Sequence, residues 1–353
     1  MDAAMTAPDP VEDSLQALIA AEGPIPVARF MAESNAAYYA SHDPFGAKGD
    51  FITAPEVSQM FGELIGLALA DVWQKKGGPA CYVELGPGRG TLATDALRAL
   101  ASVKLDPAVH FVETSHVLRT TQADNVPTAT WHDTIDTLPT DMPLLIVANE
   151  FFDALPIEQY VKTMMGWREL MVRHDDIDGF ATVPSQTPAD HLIPDSLKGA
   201  HTASVYERSP ASAGIARDLA KRLATQGGVM IVIDYGYYNH PSGDTLQAVH
   251  AHAYAAPFGM PGRSDLTAHV DFAALIHAAT IRGVRHRGPV DQGDWLVSLG
   301  IDMRADQLTR AHPYRAAELA AARMRLIHPE QMGTLFKVIG FSGPSWPIIP
   351  GFE

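Results

Sequence analysis

Four residues at alternate positions, Glu84, Gly86, Gly88 and Gly90, follow the apolar run Cys81-Tyr82-Val83 and precede a helix-like segment from Thr91. A buried strand, a turn with glycine at every second position and a helix start make a pocket for a nucleotide-type ligand, because glycine lets a ligand approach the backbone. Turns that bind pyrophosphate are spaced G-x-G-x-x-G and seat the phosphate on the helix N-terminus. Here the spacing is E-x-G-x-G-x-G, and a carboxylate two residues ahead of the first glycine repels phosphate and suits a cation. S-adenosylmethionine, with an ammonium, a sulfonium and no phosphate, fits that arrangement, with Glu84 on the ammonium. The competing reading is a glycine-rich turn with no ligand.

Further carboxylates fall at the ends of later apolar runs. Glu113 ends a second strand at the distance where nucleotide folds place the acid that hydrogen-bonds the ribose hydroxyls. Asp133 follows a third strand and is a candidate acceptor for the adenine amino group. Asn149-Glu150-Phe151-Phe152-Asp153-Ala154-Leu155-Pro156 follows a fourth, where ligands of open α/β sheets bind. Glu150 and Asp153 are three apart, so one helical turn would bring them to one face. Two carboxylates there suit a guanidinium, which they would grip, orient and relieve of a proton. The plainer alternative is a helix start whose acids complement the macrodipole. Thr53-Ala54-Pro55-Glu56 reads as a capping box opening a long helix, with Gly49-Asp50-Phe51-Ile52 as a loop near the pocket. His269 and Asp271 form a candidate acid/base pair, with a structural role as the alternative. The histidines show no metal-ligand spacing, and no metal is expected.

The elements that must position these residues follow from the pattern. Helices are expected over Val11 to Glu22, Val27 to Ala40 and from Thr53 to Gly77, with a loop from Ser41 to Asp50. Strand and helix then alternate: Ala80 onward, Val109 to Glu113, Thr128 to His132, Leu144 to Ala148 and Val229 to Ile233, which predicts a mostly parallel sheet covered on both faces. Leu335 to Phe341 is expected as an antiparallel edge. The resulting division is an N-terminal helical extension over 1–78 and a core over 79–353, with an insertion at about 158–206 and a cap at about 240–330. A chain of 353 residues with a formal net charge of −15 and no basic run or stripe argues against a nucleic-acid partner. A single cysteine excludes an internal disulfide and a cysteine-based zinc site. The first ten residues show neither a secretory nor an Arg-rich transit pattern, and no apolar run approaches the roughly 20 residues that span a bilayer. A soluble, cytoplasmic protein is expected.

Together these segments resemble the MidA-type family of S-adenosylmethionine-dependent methyltransferases, whose eukaryotic members are mitochondrial assembly factors for respiratory complex I. The likeness runs from Gly23-Pro24-Ile25-Pro26 through Gly49 to Glu56, Glu84 to Thr91, Val112-Glu113, Trp131-His132-Asp133 and Asn149 to Pro156. It continues through Asp234-Tyr235-Gly236, Asp265 to Phe272 and His328 to Gly333. The runs Gly49 to Glu56 and Asn149 to Pro156 are the most specific. The resemblance implies an α/β fold, a Rossmann-like seven-strand methyltransferase sheet with an N-terminal helical extension and insertions. It implies protein-arginine methylation of a complex I type subunit, with Gly86, Gly88 and Gly90 lining the cofactor, Glu113 on the ribose, and Glu150 and Asp153 in the substrate region. One departure is His116, where proline is expected after Ser115. Two rival functions are methylation of a small molecule or another side chain, and a non-catalytic assembly chaperone that binds the cofactor.

Overall fold

The apolar runs that alternate with helices build the central sheet of the computed structural model, which describes residues 10–41, 43–44, 51–238, 243–281 and 283–352. Its strands are β1 (Cys81–Leu85), β2 (Ala108–Val112), β3 (Thr130–His132), β4 (Leu144–Asn149), β5 (Gly228–Tyr237), β6 (Arg285–Asp291) and β7 (Phe336–Ser342). They lie in the order β3-β2-β1-β4-β5-β7-β6, and the two-residue strand Val270–Asp271 pairs with the end of β5. The first five are mutually parallel, while β7 runs antiparallel to both β5 and β6. This is the Rossmann-like, doubly wound α/β architecture expected from the alternation. Every residue of β1 and β4 is buried, as strands covered by helices on both faces require. The chain winds outward to β2 and β3 on one side of β1 and to β5 on the other side of β4. That reversal opens a crevice at the carboxyl ends of β1 and β4, where such sheets bind ligands.

Three differences from the sequence reading have physical causes. The last strand is not an edge: β6 lies outside β7, and its exposed residues Arg285, His286 and Arg287 hide it from any apolar pattern. Charged side chains are what keep an open edge from pairing with another chain. The helix expected from Thr53 is two helices, Ala54–Val57 and Gln59–Lys76, broken where Ser58 takes extended backbone (φ −167°, ψ 142°) and its hydroxyl accepts from Met60 N–H. The segment after β4 is a turn rather than a helix, with Glu150 in the left-handed region at φ +50°.

The chain divides into two compact units. One comprises 45–153, 212–238 and 270–353 and carries the sheet; the other comprises 1–44, 154–211 and 239–269. This division cuts the expected 1–78 extension in two. Helix Gln59–Lys76 goes with the sheet because Met60, Phe61, Leu64, Ile65, Leu69 and Val72 are buried in its core. Gly66 permits that packing, since a Cβ there would lie 2.5 Å from the Ala96 carbonyl of helix Thr91–Ser102. The other unit holds helices Pro10–Glu22 and Val27–Ser41, a five-stranded sheet that includes Glu158–Thr163 and Gly166–Asp175, and a three-stranded sheet over 247–267. Its core gathers Leu15, Phe30, Met31, Val172 and Leu266, and buried Asn35 bonds both backbone groups of Leu266. The expected cap is likewise divided, at His269. Gly49, Asp50 and most of the Ser41 to Asp50 loop lie outside the described residues. Among the described residues no helix is long and apolar enough to cross a membrane.

Candidate functional site

The glycines after β1 each need a conformation that L-residues avoid: φ is +59° at Gly86, +54° at Gly88 and +79° at Gly90. Gly90 N–H donates to the Pro87 carbonyl at 2.7 Å and closes the turn that starts helix Thr91–Ser102. A Cβ on Gly86 would stand 3.0 Å from the Phe151 ring, so the loop lies close against the turn after β4. Gly86 and Gly88 line an open cleft together with Glu56, Glu84, Arg89 and Glu150. Gly90 is not part of that lining.

Glu84 is the penultimate residue of β1, only 3% exposed, and accepts the Tyr82 hydroxyl at 2.6 Å. Burial pushes its pKa up to about 8, and the Tyr82 bond lowers it only in part. Glu150 stands across the cleft at the end of β4. Its Oε1 accepts the Ala54 N–H and the Asn149 side-chain amide, both at 3.0 Å. Burial, with the nearby charge of Asp153, raises its pKa to about 7 against those two donors. Asp153 is buried and outside the cleft lining. Of the two acids only Glu150 lines the cleft, and Asp153 stands near enough for its charge to act on it.

What shapes this turn is Asp234, in the carboxyl-terminal half of β5 and wholly buried. Its Oδ2 accepts the N–H groups of Phe151, Phe152 and Asp153 at 3.2, 3.0 and 3.3 Å. Burial and the charges of Asp153 and Glu150 hold its pKa well above the usual carboxylate range. The sequence marked Asp234 only as part of a run, although an acid ending the apolar strand Val229 to Ile233 is itself a signal.

Glu113 sits just past β2 and is 9% exposed, so burial raises its pKa. Its Oε1 accepts Ser115 N–H at 2.8 Å and its Oε2 accepts Gln122 Nε2 at 3.2 Å. Ser115 also caps helix His116–Asn125 through Leu118 N–H, so His116 in place of proline leaves the helix start intact. Gln122, fully buried, is the residue that sequence reasoning missed. Its amide also donates to the Gly88 carbonyl at 2.7 Å and accepts the Trp131 indole N–H at 2.8 Å. One side chain thus ties the glycine loop to the ends of β2 and β3. A lone glutamine in a polar helix carries no sequence signature, and none could have found it. Asp133 is 78% exposed at its side chain and paired with Arg119 at 2.5 Å. Neither Glu113 nor Asp133 lines the cleft.

Two other candidates have structural duties. Thr53 makes no side-chain cap; its carbonyl accepts Glu56 N–H, and the expected capping box is absent. Glu56 turns instead to the Thr91 hydroxyl at 2.5 Å. Asp271 Oδ1 accepts Ala274 N–H at 3.0 Å and caps helix Phe272–Ala278, while His269 N–H donates to the Thr245 hydroxyl. Asp271 and His269 belong to different units. Among the described residues no three His, Cys, Asp or Glu groups converge as metal ligands.

A family model described as S-adenosyl-L-methionine-dependent methyltransferase matches residues 64–290. The chain is 36% identical to the protein arginine methyltransferase NDUFAF7 homolog, mitochondrial, of Drosophila melanogaster, over 92% of this chain and 83% of that protein. It is 35% identical to the protein arginine methyltransferase NDUFAF7, mitochondrial, of Homo sapiens, over 94% and 83%. A Burkholderia thailandensis protein solved with S-adenosyl-homocysteine bound is 28% identical, with a TM-score of 0.81 over 96% of this chain and 95% of that one. S-adenosylmethionine is the cofactor, and the cleft suits it. Its carboxylates, Glu56, Glu84 and Glu150, favour a cation where a phosphate would be repelled.

Proposed function

The chain belongs to the MidA-type family of S-adenosylmethionine-dependent methyltransferases, and on that premise we propose that it N-methylates an arginine of a protein partner, a subunit of respiratory complex I type. The relatives above bear the name protein arginine methyltransferase. The observation that carries the reading is Glu150, a carboxylate on the cleft wall whose orientation is fixed by Ala54 N–H and Asn149. When bound, S-adenosylmethionine supplies an electrophilic methyl group on a sulfonium. Glu84, Gly86, Gly88, Gly90 and Glu113 are the proposed residues that hold it, with Asp133 at the adenine end.

Glu150 would hydrogen-bond the arginine N–H groups, aim one nitrogen at the methyl carbon, and take the proton that this nitrogen sheds as its bond to carbon forms. A pKa of about 7 suits that duty, because the group is a proton acceptor at neutral pH without being a spent one. Asp153 acts from behind: its charge raises Glu150's proton affinity, and its N–H helps Asp234 hold the turn. The test is label transfer from methyl-labelled S-adenosylmethionine to a recombinant complex I type subunit, with the site located by mass spectrometry. Glu150→Gln should lower the rate by about 100-fold or more and leave S-adenosylhomocysteine binding within a few-fold. An unchanged rate would remove Glu150 from the chemistry. Label found on lysine or only on a small molecule would remove arginine from the reading.

A further inference from the structure

The run Thr53-Ala54-Pro55-Glu56 has no capping role, yet it forms part of the cofactor cleft: Thr53, Pro55 and Glu56 all line it. Glu56 and Arg89 meet there, Glu56 from helix Ala54–Val57 and Arg89 from the glycine turn. Their closest atoms, Arg89 Nη1 and Glu56 Oε2, are 3.9 Å apart, an open ion pair and not a bidentate one. The other Glu56 oxygen is fixed by the Thr91 hydroxyl at 2.5 Å, so the carboxylate has a set direction. Both side chains remain partly exposed, 30% for Arg89 and 19% for Glu56. One positive and one negative group, held a few ångströms apart beside a glycine loop, match a ligand that carries the opposite pair at the same spacing.

We propose that Arg89 and Glu56 together read an α-amino acid end: the guanidinium takes the ligand's carboxylate and the Glu56 carboxylate takes its ammonium. The assignment rests on S-adenosylmethionine as cofactor and specifies which residues recognise its methionine portion. Glu84 lines the same cleft but is only 3% exposed, against 19% for the Glu56 side chain, so Glu56 is the acid more open to the ammonium. Glu84 compensates the cation's charge from its buried position. Among the described residues that line the cleft Arg89 is the cation, so it is the group matched to the ligand's carboxylate.

Three ligands separate the parts: S-adenosylhomocysteine, its analogue lacking the carboxylate, and 5′-methylthioadenosine, which lacks carboxylate and ammonium. Dissociation constants are measured by calorimetry for the wild-type chain, Arg89→Met and Glu56→Gln. In the wild type each lost group should cost roughly 10- to 150-fold in affinity. Arg89→Met should weaken S-adenosylhomocysteine by a similar factor and leave the carboxylate-free analogue within about threefold. Glu56→Gln should weaken both ligands that bear the ammonium and spare 5′-methylthioadenosine, whose binding also reports that the variants are folded. Equal weakening of all three ligands by either variant overturns the proposal, as does a wild type that binds all three alike. A wild type that binds none of them overturns the cofactor assignment as well, which tells the two failures apart.

Discussion

The buried acid at the end of β1 should make cofactor binding release a proton. Burial holds the Glu84 carboxyl at a pKa of about 8, against 4.5 for an unburied one. A raised carboxyl binds its proton more tightly in the folded chain than in the unfolded one. Its cost is therefore absent below pH 4.5 and grows as the pH climbs towards 8, to a total on the order of 5 kcal/mol. At pH 7 the group is about nine-tenths protonated, and at pH 9 about one-tenth. A cationic ligand above it favours the carboxylate, so binding at pH 7 should expel close to one proton through Glu84 and at pH 9 about 0.1. Calorimetry in phosphate and in Tris, whose ionisation enthalpies differ, counts those protons directly. Glu84→Gln, shaped like the protonated acid, should lose this component; the ligand's own amine and Glu150 titrate in both proteins and drop out of the difference. Affinity for the wild type should rise relative to the variant between pH 6 and 8, approaching tenfold per unit, and level off above. Without ligand, the stability gap between variant and wild type should widen from pH 5 to pH 9 in the variant's favour. Equal proton release from the two proteins at pH 7 would refute the placing of Glu84 beneath the cation.

Gln122→Leu keeps the side-chain bulk and strands the Gly88 carbonyl, a Glu113 oxygen and the Trp131 N–H; S-adenosylhomocysteine should bind at least tenfold more weakly, with kcat at saturating cofactor changed much less. A loss confined to kcat would show that Gln122 does not act through the cofactor. Asp271→Ala should cost about 1 kcal/mol of stability in thermal or urea unfolding through the lost cap and leave methyl transfer unchanged, whereas a hundredfold drop in rate would restore the acid/base pairing with His269.

The parts of this site that were legible in the sequence are those that depend on local conformation. Gly86, Gly88 and Gly90 are readable because three positive φ angles in five residues leave no other residue type comfortable. The parallel strands are readable because burial on both faces makes β1 and β4 continuously apolar. β6 was lost for the converse reason: as an edge it carries Arg285, His286 and Arg287 on view, and nothing in its pattern says strand.

The site's acids show where such reading stops. Spacing placed Glu150 and Asp153 together because it assumed the helical period, but the turn is set by Asp234, which lies more than 80 residues further along the chain from each N–H it accepts. Three backbone donors on one buried oxygen outweigh the helical preference of a four-residue segment, since the alternative leaves Asp234 unsatisfied in the core. The same turn puts Glu150 at φ +50°, a strained position for a non-glycine residue, and thereby aims it at Ala54 N–H and the cleft. Glu56 follows the same logic: its spacing from Thr53 satisfies a capping box, yet the Thr91 hydroxyl takes it instead. In both cases the local pattern assumed a partner on a helix, and the fold supplies other hydrogen bonds. Which acid meets which charge is decided by hydrogen bonds between strand ends, and those become visible only once the sheet has brought the ends together.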